Sequence, residues 1–182
     1  MMPFGSDIAE ILISEKDLQK RVRQLGRQIS KDYAEMNPYL ISVLKGGLYF
    51  LADLTRTLTI PHSIDFLAIS SYGPSSKSGE VRITKDLDES IAGRHVLIVE
   101  DIVDTGLTLS YISRNLERRS PASLTICTFL DRPYRRIADV PIKYKGFDVP
   151  DKYLVGYGLD WRQKFRNLPY LGILKSDKIE EV

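Results

Sequence analysis

Between Val96 and Ile112 the chain reads VLIVEDIVDTGLTLSYI. Four apolar residues lead straight into Glu100 and Asp101; Asp104 follows, then Thr105, Gly106 and Thr108. A near-continuous apolar run of this kind reads as a strand buried on both faces. In an open α/β sheet the carboxyl end of such a strand is where ligands bind. Two carboxylates about 5 Å apart repel by roughly 3 kcal/mol at an effective dielectric of 20. Three close together require protonation, a cation or hydroxyl donors. A ligand carrying a diol together with Mg²⁺ supplies both of the last two. The turn beyond the acids suits a phosphate, because Gly106 permits close backbone approach while Thr105, Thr108 and the free N–H groups of a helix start act as donors. The whole set fits a ribose 5-phosphate.

Three other readings of the same residues are weaker. Asp-Thr-Gly also occurs in aspartic proteases, where paired acids share a proton, but that fold is all-β and here the triplet opens an amphipathic helix. A P-loop requires G-x-x-x-x-G-K-[ST], and the chain contains no such string. Glu100 and Asp101 ending a strand, with Asp104 capping a helix, accounts for each acid singly but not for the constellation.

The elements that must position these residues follow from periodicity. Residues 14–35 read as a helix capped by Ser14, with Leu18, Val22, Leu25, Ile29 and Tyr33 on one face. Residues 38–44 (PYLISVL) form a strand ended by Lys45-Gly46-Gly47, and a second helix follows with Leu48, Leu51, Ala52, Leu54, Thr55 and Leu58 on its buried side. SIDFLAIS, residues 63–70, is the next strand, and the polar stretch SSYGPSSKSGEVRITKDL after it reads as a mobile loop or loose hairpin. After HVLIVED, the residues Leu109, Ile112 and Leu116 mark a helix and SLTICTFL a further buried strand. YKGFDVP, YLVGYGLD and YLGILK are short strands punctuated by Gly and Pro. Strands alternating with helices predict a mostly parallel, twisted α/β sheet with helices on both faces. No linker divides residues 1–182, so a single domain is expected.

The chain has 182 residues, 43% hydrophobic and 27% charged, the balance of an ordinary soluble protein with room for a real core. A net charge of +2 is too mild to point to nucleic acid. The single cysteine, Cys127, lies in an apolar run and reads as a buried structural thiol, with no disulfide framework. The opening residues lack the basic and apolar regions of a signal peptide, and no apolar run reaches the ~18 residues of a membrane span. A cytoplasmic protein is expected. His62 and His95 stand outside the motifs and read as structural, and no Cys/His spacing suggests zinc.

VLIVEDIVDTGLT resembles the phosphoribosyl-diphosphate (PRPP) signature of the type I phosphoribosyltransferases. VLKGG (43–47), ISSYG (69–73), GFDVPDKYLVGYGLD (146–160) and FRNLPYLG (165–172) are similar to the hypoxanthine-guanine branch of that family, in order and over nearly the whole chain. The resemblance implies transfer of ribose 5-phosphate from PRPP to a 6-oxopurine, through an oxocarbenium-like transition state with pyrophosphate leaving. It also implies a small hood from the C-terminal segment and a mobile lid.

On this resemblance Glu100 and Asp101 bind the ribose diol directly or through Mg²⁺, and Asp104 faces the purine as general base. Asp104, Thr105, Gly106, Leu107 and Thr108 form the 5-phosphate cradle. Lys45, Gly46 and Arg166 meet the pyrophosphate, with a cis Leu44–Lys45 bond expected, and Ser71 and Tyr72 belong to the lid. Tyr153 stacks on the purine, the Leu154 backbone reads its edge, Arg132 donates to its 6-oxo group, and Asp160 joins Glu100 and Asp101 as a metal ligand. The partners implied are small molecules and further copies of the chain, in a homodimer or homotetramer, with neither nucleic acid nor membrane.

Two positions depart from the family pattern. Arg132, in FLDRP, stands where members generally have lysine; the guanidinium can still donate to a carbonyl, but its planar fork leaves the ranking of hypoxanthine, guanine and xanthine open. Leu107 stands where some members carry lysine and can offer the phosphate only its backbone. A regulatory protein using PRPP or nucleotide as an effector on the same fold is the competing expectation. Its relatives usually need a basic nucleic-acid surface, which this chain's charge does not suggest.

Overall fold

The structure, a computed structural model, describes residues 6–71 and 81–180. Strand β1 (Ile8–Ile13) leads into helix α1 (Glu15–Asp32). The Ser14 side chain caps α1, accepting from the Asp17 N–H at 3.2 Å. Leu18, Val22, Leu25 and Ile29 recur at helical spacing and are fully buried. The helix stops at Asp32, short of the expected residue 35, because the chain turns with positive φ at Glu35 and Asn37 before Pro38. A residue preceding proline is disfavoured in the α region, so the helix cannot run on.

The main sheet is built from β2 (Tyr39–Leu44), β3 (Ser63–Ser71), β4 (Val81–Lys85), β5 (His95–Val103), β6 (Ser123–Asp131) and β7 (Ile142–Asp148). Its order is β4-β3-β2-β5-β6-β7, with β4 antiparallel to β3 and every other pairing parallel. Alternate residues of β5 serve two cores. Leu97 and Val99 pack with α1 and α2 (Leu48–Thr55), while Val96 and Ile98 pack with α3 (Leu107–Glu117). Covering both faces requires the near-continuous apolar strand seen in the sequence. In α2 the inward residues are Phe50, Leu51 and Leu54; Leu48, expected to be buried, is 42% exposed because it opens the helix.

A second, three-stranded sheet has the order β1-β9-β8, formed with β8 (Leu154–Val155) and β9 (Leu171–Leu174), and the short helix α4 (Ser176–Glu180) follows it. This is the expected C-terminal hood with one correction: its far strand, β1, comes from the N-terminus. The polar stretch after β3 is part strand, since Val81–Lys85 pairs back on β3 as β4. Tyr72 and the rest of the expected lid, residues 72–80, lie outside the described residues.

Asp65 fastens the sheet at the base of β3. Its carboxylate, 4% exposed, accepts from the Tyr39 hydroxyl (2.8 Å), the Phe66 N–H (2.7 Å), the Asp88 N–H (2.8 Å) and the Lys85 ammonium (3.2 Å). Burial works against this charge, but the donors together outweigh it and hold the carboxyl below its ordinary value. Asp65→Ala leaves these donors unpaired and should lower stability by about 3 kcal/mol in urea unfolding. Because the folded value is depressed, Asp65's contribution is present above the unfolded value near 3.9 and lost as pH falls through the folded one. Asp65→Asn should therefore flatten the acid side of the stability curve, and identical curves would refute this role.

Candidate active site

Strands β2 and β5 lie side by side and parallel, paired from Tyr39↔Val96 to Ser42↔Val99. The chain leaves β2 for α2 on one face and leaves β5 for α3 on the other. That reversal opens a crevice at their carboxyl ends, the position favoured for ligands in doubly wound sheets. The loop after β2 closes one side of it. The Leu44–Lys45 peptide is cis. A Cβ at Gly46 would overlap the Asp101 carboxylate, and a Cβ at Gly158 would overlap the Gly46 carbonyl. Loop 44–47 is thus pressed between the acids of β5 and the turn after β8, at contacts that exclude side chains.

Two clefts meet here. The larger, about 590 Å³, is lined by Gly46, Asp101, Asp104, Arg132, Tyr153, Leu154, Asp160 and Arg166 among others. The smaller, about 260 Å³, is lined by Glu100, Thr105, Gly106 and Thr108, and shares Gly46, Asp101, Ile102 and Asp104 with the first. Glu100 lines only the smaller cleft while Asp101 lines both, so Asp101 is the acid common to the two spaces. Gly106, at φ +79°, sets the turn into α3. That turn is braced from outside by the Ile137 and Ala138 N–H groups, which donate to the Thr105 carbonyl at 2.9 and 3.0 Å. Lys45 and Leu107 line neither cleft. The Lys45 ammonium donates to Gln163 Oε1 at 3.2 Å, and Leu107 offers its backbone beside the Thr105 hydroxyl. Of Ser71 only the backbone is described, as the last residue of β3.

Charge is unevenly compensated. Desolvation, then the neighbouring Asp101, pushes the Glu100 carboxyl well above its ordinary value. Desolvation likewise raises Asp101 to about 6, against the opposing pull of the Ile102 N–H and Arg166. Asp104 faces two guanidiniums, with Arg132 Nη1 at 3.8 Å and Arg135 Nε at 3.3 Å. Arg132 Nη2 also donates to the Lys152 carbonyl at 2.6 Å. Both oxygens of Asp160 are engaged, one by Arg166 Nη2 at 2.6 Å and the other by the Gln163 N–H at 2.7 Å. Arg166 in turn donates to the Gly158 carbonyl at 2.6 Å. Tyr153 presents an open ring, 38% exposed and steadied edge-on by Trp161 at 4.8 Å.

Among the described residues no three His, Cys, Asp or Glu side chains converge to hold an ion by themselves. Asp101 is nonetheless suited to a cation, since it is a desolvated carboxylate that a positive charge would relieve. Sequence reasoning missed Arg135, Asp151, Lys152, Leu159 and Ile179 in the larger cleft. The sequence places three arginines within residues 132–136 but does not show which of them turn inward.

Because the folded value of Asp101 is raised, the stability linked to its proton is fully present below about 3.9 and lost as pH rises through about 6. In the presence of a chelator, wild type should lose stability between pH 4.5 and 7.5 relative to Asp101→Asn. Parallel curves from urea unfolding at the two pH values would contradict this.

Residues 10–162 match the phosphoribosyl transferase domain model. The hypoxanthine-guanine phosphoribosyltransferase of Bacillus subtilis is 49% identical over 93% of this chain and 94% of its own length. That of Mycobacterium tuberculosis is 49% identical over 94% of this chain and 88% of its own. A crystal structure of a hypoxanthine phosphoribosyltransferase from Staphylococcus aureus superposes with a TM-score of 0.93 at 44% identity, covering 98% of both chains. With this likeness running through both the main sheet and the hood, the chain belongs to the phosphoribosyltransferase family, in its hypoxanthine-guanine branch.

Proposed function

We propose that the protein transfers ribose 5-phosphate from PRPP to hypoxanthine or guanine, giving IMP or GMP and pyrophosphate in purine salvage. The observation that carries this reading is the pair of joined clefts. One holds an open aromatic ring, a guanidinium and a carboxylate suited to a 6-oxopurine, the other a helix-start turn suited to a phosphate, and Asp101 stands where they meet. The relatives matched are named as enzymes of this reaction, and nothing favours the regulatory alternative.

In this reading the purine lies against Tyr153 with the Leu154 backbone at its edge, and Arg132 donates to its 6-oxo group. Asp104 takes the ring proton as the base becomes nucleophilic. The 5-phosphate sits in the turn from Asp104 to Thr108, where backbone N–H groups and the Thr105 and Thr108 hydroxyls donate. Lys45, the Gly46 backbone and Arg166 receive the diphosphate, with Ser71 and Tyr72 as part of the lid. Holding both reactants in line accounts for much of the rate, and donors aimed at the departing diphosphate stabilise the charge that develops. Mg²⁺ fits Asp101 and Glu100, with Asp160 available once its partners shift, and when bound it would supply positive charge to the diphosphate and ribose diol. Homo-oligomerisation and a cytoplasmic location belong to the same reading and rest on the family. Among the described residues, no helix is long and apolar enough to cross a membrane.

Purified protein with PRPP and Mg²⁺ should convert hypoxanthine and guanine but not adenine in an absorbance assay; no product with either 6-oxopurine would end this reading. Asp104→Asn should lower kcat by about 10²-fold or more while PRPP binding persists, and unchanged turnover would remove Asp104 as the base. Arg132→Lys should reorder kcat/KM among hypoxanthine, guanine and xanthine with PRPP affinity retained. Identical ratios would show that the guanidinium does not read the base.

A further inference from the structure

Three arginines crowd the stretch after β6, and they part company in space. Arg136 pairs with Asp131, whereas Arg132 and Arg135 both turn to Asp104. The local helix explains this division. Residues Pro133–Arg135 form a 3₁₀ turn with Arg132 as its N-cap, and at three residues per turn positions i and i+3 eclipse, so Arg132 and Arg135 project to the same side. The exit of the turn is pinned to the phosphate cradle through the Ile137 and Ala138 N–H groups on the Thr105 carbonyl. Arg135 is therefore fixed against the turn that carries Asp104.

The two guanidiniums divide the carboxylate between them. Arg132 Nη1 faces Oδ2 at 3.8 Å and Arg135 Nε faces Oδ1 at 3.3 Å. Among the described residues Oδ1 is sealed from solvent and accepts no hydrogen bond, so the facing Arg135 charge is what compensates it. The outer end of Arg135 reaches across the cleft mouth, with Nη1 at 3.5 Å from Asp151 Oδ1, two residues before Tyr153. One side chain thereby touches both the carboxylate expected to take the purine proton and the segment that carries the stacking ring.

We infer that Arg135 is a positioning residue for the purine half-reaction: it holds Asp104 when Arg132 turns to the base, and through Asp151 it holds the Tyr153 segment against the cleft. The inference rests on the functional reading above. The 6-oxo group of an entering purine competes with Asp104 and the Lys152 carbonyl for the Arg132 donors. Arg135 has no such second duty toward the base and stays on the carboxylate. Its two arms are separable, because Asp151 meets only the outer one.

The test uses wild type, Arg135→Ala, Arg135→Lys and Asp151→Asn, with steady-state kinetics varying hypoxanthine and PRPP separately, PRPP–Mg²⁺ binding by calorimetry, and thermal melts. Arg135→Ala should lower kcat/KM for hypoxanthine about tenfold or more, as expected for loss of alignment at a reacting group, with kcat itself reduced. PRPP affinity should stay at the wild-type value, while the melting temperature falls by a few degrees because Asp104 Oδ1 loses its compensating charge. Arg135→Lys should recover part of kcat, and Asp151→Asn should raise KM for the base while leaving kcat in place. A less than twofold change in Arg135→Ala overturns the inference, as does an equal loss of PRPP affinity or no recovery of kcat in Arg135→Lys. If the alanine variant does not fold, Arg135→Gln is judged by the same criteria. Wild type without turnover would instead overturn the functional reading itself, so the two failures are distinct.

Discussion

Glu100 and Asp101 lie within β5, near its carboxyl end and directly after four fully buried residues, Val96–Val99, and they share that desolvation. A carboxylate placed there is costly to charge unless something nearby supplies donors or positive charge. The surroundings answer this constraint unequally. Asp104, three residues on, is met by two guanidiniums, and Asp160 by Arg166. Among the described residues Glu100 has no such partner, and Asp101 has little beyond its neighbouring N–H and the pull of Arg166. The residues left short of positive charge are those expected to meet the ribose diol and metal.

Close packing serves the same end. A Cβ at Gly46 would displace the Asp101 carboxylate, and Gly158, at φ +102°, would press a Cβ into the Gly46 backbone carbonyl. These contacts bring the loop after β2, the end of β5 and the turn after β8 to one point, although more than a hundred residues separate the first from the last. A crevice that joins a glycine-threonine turn, a desolvated acid and an open aromatic ring cannot be assembled from adjacent residues. It requires the switch between β2 and β5 and a hood laid over it.

Much of the architecture was legible because burial on both faces leaves a plain signature in the residues. The apolar runs at 38–44, 96–99 and 123–130 all became parallel strands, and Ser14 with Leu18, Val22, Leu25 and Ile29 fixed α1. The departures have local causes. Proline after a left-handed Asn37 cut α1 short, and the start of α2 left Leu48 half in solvent. Strand β1 carried no alternating pattern sharp enough to announce itself, since its burial is mixed and its pairing partner, β9, lies at the far end of the chain.

The sequence by itself determined the chemistry available: three acids and a glycine-threonine turn at a strand end, a tyrosine and arginines downstream, and the order of strands and helices that delivers them. These are properties of residue type and short-range periodicity, which the chain carries locally. Tertiary structure alone decided which partners each charge receives. That Glu100 is confined to the smaller cleft while Asp101 reaches both depends on sheet pleat and neighbouring loops. That Arg135 turns to Asp104 while Arg136 turns to Asp131 depends on one 3₁₀ turn docked on Thr105. Compensation of a buried charge acts over a few ångströms, and only the folded chain brings residues so distant in sequence within that range.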